Sequence, residues 1–368
     1  MHSFRKWLAG VTCVAAIVVS GSAYAARADI EVTLQEASAK GAAGSGKVLY
    51  TITNTSAAPL HVLNWETPLN GVSGDLFSVA LGGQPVRYVG RLVKRKPATD
   101  KDYITLKPNE SRAVEVDLSA YYEMYRAGQY VIKYKRSADT LVREAGNAVA
   151  AKASGAAASA PAVTLETNAI PLSVDGGPAP SSKLASSDLL GAINGAAAAS
   201  TTFASCSNSQ KTALTTARAD ATSIATNAKS YLNASNTGSR YTWWFGAVTS
   251  GRYTTVTSHY TNISSVLGNQ AYKFDCSCTE SDTYAYVYPD QPYTVYLCGA
   301  YWNAPANGTD SKAGTLVHET SHFTVVAGTS DHVYGQTGAH NLAVSNPTNA
   351  VDNADNHEYF AENTPARQ

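Results

Sequence analysis

The sequence predicts two domains of different class: an all-β, sandwich-like N-terminal domain, then a mainly α (α+β) C-terminal domain with a small β-hairpin or sheet. Three observations predict it. Short runs alternating apolar and polar residues fill residues 26–136, a stretch rich in Ala, Ser, Gly and Pro covers 137–201, and helix-period patterns dominate 202–368. A chain of 368 residues is also long enough to hold two cores.

Residues 1–25 read as an export signal. His2, Arg5 and Lys6 give a basic start, Leu8 to Val19 is mostly apolar, and Ala23-Tyr24-Ala25 is an A-x-A cleavage site. The apolar run is too short to span a bilayer, so a secreted, extracellular protein without a membrane anchor is expected. In the β domain, "KVLYTITN", "LFSVAL", "YITLKP", "AVEVDL" and "QYVIKYK" are alternating runs split by Gly, Pro, Asn and Asp clusters. Regular spacing of this kind suggests a small β-sandwich. The composition of 137–201 cannot bury enough apolar surface to order itself, so this segment reads as a flexible linker that carries a maturation site within 183–204.

In the C-terminal domain, Leu214, Ala217, Ala221, Ile224, Ala228 and Leu232 fall on one helical face, with Ser207 or Asn208 placed to cap it. A second helix is expected over about 245–267. "YAYVYPDQPYTVYLCG" reads as a β-hairpin, "SKAGTLVHETSHFTVVAG" as a helix closed by Gly328, and "NPTNAVDNADNHEYFAENTP" as one more helix. Charged residues make up 15% of the chain and the formal net charge is zero, which gives no basic footprint for nucleic acid. Cys13 falls in the export signal. The remaining cysteines, Cys206, Cys276, Cys278 and Cys298, are even in number in an exported chain and imply two disulfides. Cys276 and Cys278 are too close in sequence to pair with each other without strain.

The chemistry lies in "LVHETSHFTVVAGTSDHVYG", residues 316–335. His318 and His322 are four apart, so a helix presents both imidazoles on one face, as two zinc ligands require. Glu319 stands beside the first, where it can take a proton from a metal-bound water without binding the metal. A catalytic zinc needs a third protein ligand and an open position. Asp331, His332, His340 and later acids are candidates. Asp331 is the nearest, after the Gly328 turn, and Glu358 is the candidate for a ligand supplied by a later helix. The metzincin pattern fails, because Val325 and Gly328 occupy its Gly and His positions.

At this point the sequence resembles a known family. "HETSH" followed by "GTSDHVYG" is similar to the signature of the aspzincin, or deuterolysin-type, metalloendopeptidases, whose domain is zincin-like. "CSNSQ", "RYTWWFG", "FDCSCT", "VYLCGAYW" and "DNADNHEYFAEN" extend the likeness to the peptidyl-Lys metalloendopeptidases over about 165 residues, leaving 26–200 uncovered. The resemblance implies one Zn2+ per chain held by His318, His322 and Asp331, with His332 no ligand. It implies Glu319 as general base and Tyr334 as oxyanion donor. It also implies the pairs Cys206–Cys276 and Cys278–Cys298.

Asp355 and Glu358 are three apart on one helical face, which on its own is the pattern of a solvated acidic surface. The resemblance makes them instead the pocket for a lysine just after the cut bond, which implies cleavage on the N-terminal side of lysine. The expected partners are lysine-containing proteins and peptides and, as an inhibitor, the N-terminal domain read as a propeptide; the enzyme is expected to be a monomer. The basic loop "VKRKPATDK", Val93 to Lys101, could offer a lysine to the acidic pocket, but its composition is that of a solvated loop. Two alternatives stand beside this reading: a broader-specificity deuterolysin-like protease, and a secreted binding or adhesion protein with a non-catalytic metal site.

Overall fold

The computed structural model describes residues 23–27, 29–37, 44–144, 164–177 and 200–368; the expected export signal lies, up to residue 22, outside the described residues. The N-terminal region is built from strands. β1 (Ala23–Arg27), β2 (Ile30–Glu36), β3 (Lys47–Asn54) and β9 (Ser111–Asp117) form an antiparallel sheet in the order β1-β2-β3-β9. β12 (Thr164–Glu166), β10 (Gly128–Ser137), β5 (Phe77–Leu81) and β6 (Gln84–Pro85) form a second, with β13 (Ile170–Val174) also paired to β10. β11 (Val142–Glu144), β4 (Leu60–Leu63) and β8 (Tyr103–Leu106) form a third, and one helical turn, α1 (Ala138–Leu141), precedes β11.

Alternation explains the core. Ile30, Val32 and Leu34 of β2 and Val48, Tyr50 and Ile52 of β3 all point inward and are fully buried, while the residues between them face outward. Complete burial of each such aliphatic side chain is worth roughly 1.5–3 kcal/mol over exposure. The linker expected over 137–201 is corrected by β11, β12 and β13. "TLETNAIPLSV" alternates well enough to pair with β10, placing Leu165, Ile170 and Leu172 in the core, and the Ala- and Ser-rich flanks conceal it in sequence.

The C-terminal region packs helices around a small sheet. α2 (Asn208–Asn233) starts at a capping box in which Ser207 Oγ accepts from the Gln210 amide and Gln210 Oε1 from the Ser207 amide. Its buried stripe is Leu214, Ala217, Ala221, Ala225, Ala228 and Leu232. Ala225 takes the inner place expected for Ile224, which is half-buried. A short helix, α3 (Ser239–Phe245), precedes the one expected over about 245–267, which is α4 (Ser250–Asn269). The break falls at Gly246, whose φ of +71° is left-handed and whose backbone lies so close to the Ala343 carbonyl that no Cβ fits.

β14 (Thr202–Ala204), β15 (Lys273–Asp275) and β17 (Thr294–Leu297) run parallel, and β16 (Thr283–Val287) pairs antiparallel to β17 as the expected hairpin. The fifth strand of this sheet comes from the other region: β7 (Leu92–Arg95) pairs antiparallel with β16. α5 (Gly299–Asn303), α6 (Lys312–His322), α7 (Gly335–Ser345), α8 (Pro347–Val351) and α9 (Ala354–Glu362) complete the chain. The expected helix to Gly328 therefore ends six residues earlier, and the last expected helix is divided in two at Asp352 and Asn353. Disulfides join Cys206 to Cys276 and Cys278 to Cys298. Among the described residues, no helix is long and apolar enough to cross a membrane.

Candidate active site

α6 begins at Ser311, whose Oγ accepts from the Gly314 amide, and it is buried along nearly its whole length. His318, Glu319, Thr320, Ser321 and His322 are all inaccessible, so the polar half of the helix must find partners inside the protein. The helix stops at His322 because the chain folds back: Thr329, past the left-handed Gly328, brings its carbonyl to accept from His322 Nδ1 at 2.8 Å. That bond leaves His322 Nε2 free to act as a ligand. His318 is oriented in the same manner, its Nδ1 lying 2.8 Å from Asp355 Oδ1 of α9.

The free nitrogens converge on one carboxylate. Asp331 Oδ1 is 3.2 Å from His318 Nε2 and 3.4 Å from His322 Nε2, and all three atoms are buried without a hydrogen-bond partner. A tetrahedral ion with bonds of about 2.0–2.1 Å sets its ligands roughly 3.3–3.4 Å apart, so this N,N,O set fits zinc in both spacing and chemistry. Glu319 is buried beside it with neither carboxylate oxygen hydrogen-bonded. Burial pushes its carboxyl up to about 7, against the pull of the two histidines.

The turn carrying Asp331 is held by α9. Asn353 Oδ1 accepts from the amides of His332 and Val333, and the Asn353 amide group donates to Asn356 Oδ1. His332 faces Asp352 at 2.7 Å, and His340 stacks on Trp243 with ring centres 3.7 Å apart, so neither joins the cluster. Tyr334 closes the site, its hydroxyl donating to the carbonyl of Val93 in β7 at 2.8 Å. The Val93 amide donates to Asp331 Oδ2 at 3.0 Å.

Asp355 and Glu358 lie on α9 and are buried, not solvated. Between them stands the ammonium of Lys94, itself 1% exposed. Its Nζ is 2.5 Å from Glu358 Oε2, 3.5 Å from Asp355 Oδ1 and 3.4 Å from Asp310 Oδ1. Burial opposes the charge, but Asp355, Glu358 and Asp310 outweigh it and hold Lys94 well above the usual lysine range. Asp355 is kept below the carboxylate range in spite of burial by Lys94 and His318. The rings of Tyr284 and Tyr359 complete the pocket, 5.1 and 5.7 Å from the ammonium. Tyr284 sits at the bulge where the β7–β16 register shifts, which turns it toward the lysine. The solvated loop expected over Val93–Lys101 is thus corrected at its start, where Val93 and Lys94 belong to a buried strand.

Asp310 and Gly314 also line this acidic pocket and were not singled out from the sequence pattern. Asp310 holds a left-handed φ of +51° and accepts from the Tyr359 hydroxyl at 2.7 Å, a loop conformation that Asp tolerates and that spacing does not reveal. Gly314 faces Glu358 and Glu362, and a Cβ there would enter the space of both carboxylates.

Comparison with known proteins agrees with this geometry. The model of the aspzincin family, described as lysine-specific metallo-endopeptidase, matches residues 230–362. An extracellular protease of Aeromonas hydrophila is 43% identical over 351 residues, covering 95% of this chain and 96% of that protein. The chain belongs to the aspzincin family. This aspzincin is a zinc metalloendopeptidase, a peptide hydrolase. It is similar to the peptidyl-Lys metalloendopeptidase of Pleurotus ostreatus, 55% identical over 166 residues, 45% of this chain and 98% of that one. That of Grifola frondosa is 38% identical over 332 residues, covering 87% of this aspzincin and 89% of the relative.

Proposed function

We propose that this aspzincin is secreted as a proenzyme and hydrolyses peptide bonds on the N-terminal side of lysine, with the N-terminal β region as its inhibitory propeptide. One observation carries the reading: β7 lies across the site as a substrate would, with Lys94 among the acids and the carbonyl before it on Tyr334. The relatives from Pleurotus ostreatus and Grifola frondosa both bear the name peptidyl-Lys metalloendopeptidase, which agrees with a lysine pocket. A compact ammonium suits a pocket of carboxylates ringed by tyrosines better than a planar guanidinium does.

In the proposed mechanism His318, His322 and Asp331 would hold one zinc ion, which when bound would supply Lewis-acid polarisation of the substrate carbonyl and a lowered water pKa. Glu319 takes a proton from the attacking water and delivers it to the leaving amine. The Tyr334 hydroxyl donates to the carbonyl oxygen as negative charge grows on it. Glu358, Asp355 and Asp310 fix the lysine so that the bond before it is the one presented. Pairing with β16 aligns the substrate backbone, as it aligns β7.

Digesting an unrelated protein with the matured enzyme and sequencing the fragments tests the reading. Fragments beginning with lysine are expected, abolished by a chelator and restored by zinc. Mixed N-terminal residues would favour the broader deuterolysin-like specificity.

A further inference from the structure

The lysine contact makes β7 an inhibitor, but its backbone goes further. Two groups flank the peptide unit between Val93 and Lys94: the Tyr334 hydroxyl on the Val93 carbonyl oxygen and the three acids on the Lys94 side chain. The Val93 amide is also fixed, on Asp331 Oδ2, and the strand register is continuous through Leu92↔Val287, Val93↔Tyr286 and Lys94↔Ala285. A blocking segment needs only to fill the pocket. This one presents a carbonyl at the oxyanion donor and a lysine directly after it, which is the arrangement of a bond about to be cut.

The residues on either side are anchored to the β region, not to the site alone. Leu92 is packed in the β core, and the Arg91 carbonyl accepts from the Tyr88 hydroxyl at 3.1 Å. Beyond the bond, Arg95 donates to Ser73 Oγ at 2.9 Å. The chain then enters β8, which is paired to β4. A break at this bond would leave both new ends tied to one folded body.

From these contacts we infer that Val93–Lys94 is a cleavage site of the enzyme itself, cut in place, with both new ends retained by the β region. The inference rests on the lysine-directed reading above. Water adds to the Val93 carbonyl carbon and the C–N bond to Lys94 breaks. Val93 becomes a carboxylate and Lys94 gains an α-ammonium: Glu319 carries one proton of water to the leaving nitrogen, and the new carboxyl gives up the second. The propeptide is on this view a substrate turned over slowly, because its product ends stay beside each other and can rejoin.

The test uses the full chain loaded with zinc. Denaturing mass spectrometry should show fragments ending at Val93 and beginning at Lys94, forming at a rate independent of protein concentration. Native mass spectrometry of the same sample should show the nicked propeptide still in one complex. Neither fragment should form with Glu319→Gln, or with Lys94→Gln, which keeps a long polar side chain in place of the ammonium. A zinc-loaded chain that never breaks at this bond, while the matured enzyme cuts other proteins before lysine, overturns the inference and leaves the lysine reading standing. Cutting that accelerates with concentration overturns cleavage in place, and fragments that separate under native conditions overturn retention. If the matured enzyme makes no cuts before lysine at all, the lysine reading fails as well.

Discussion

The metal end of the site and its lysine end share α6 and α9, yet they compensate buried charge in opposite ways. At the metal end His318 Nε2, His322 Nε2 and Asp331 Oδ1 converge within 3.4 Å in a set that fits an ion from outside the chain. At the lysine end Asp310, Asp355 and Glu358 surround an ammonium supplied by the chain itself, Lys94, 264 positions before Glu358. Carboxylates this deeply buried cannot be left without a cation at small cost. On the proposed reading, a substrate lysine would take the place of Lys94 among the same acids once β7 is removed. Asp355 belongs to both ends: one oxygen orients His318 and faces Lys94, and the other accepts from the Gly335 amide.

Substitutions can separate the two ends. The largest effect is expected at the metal end. Glu319→Gln should fold and bind zinc but lower kcat on a lysine peptide by about 1,000- to 10,000-fold, measured in the matured enzyme; near-normal turnover would remove the general base. At the lysine end, Glu358→Gln should lower kcat/KM for lysine peptides by roughly 100- to 1,000-fold, with zinc content unchanged by elemental analysis. Asp355→Asn should disturb both ends. Zinc affinity in a competition titration should fall about 10- to 100-fold, and lysine preference over a neutral residue should weaken with it. A variant that loses only one of the two would break the idea of a shared wall. The smallest effect is expected for Asp310→Asn, about 2- to 5-fold in KM for a lysine peptide, because Asp310 is partly open to solvent.

Legibility differed between these ends for physical reasons. The spacing of His318, Glu319 and His322 expresses a helix period and is local, whereas the third position stayed open among several acids and histidines until the family resemblance of "GTSDHVYG" pointed to Asp331 and Tyr334. β3 and the cap of α2 were readable for the same reason, since alternation and capping are local. β7 was not. "RLVKRK" looks solvated by its charges, and the acids that bury Lys94 lie more than 200 positions away. The end of α6 at His322 was also hidden, because it depends on a carbonyl brought back from Thr329.

The Cys206–Cys276 bond has a consequence for the enzyme's own lifetime. It closes a loop of 70 residues that holds α2, α3 and α4. Of the four lysines after residue 202, Lys211, Lys229 and Lys273 all fall inside that loop and only Lys312 lies beyond it. On the proposed lysine-directed reading, a neighbouring copy that nicks the backbone before any of those three would leave the pieces covalently joined, so self-digestion would scar the molecule without dismembering it.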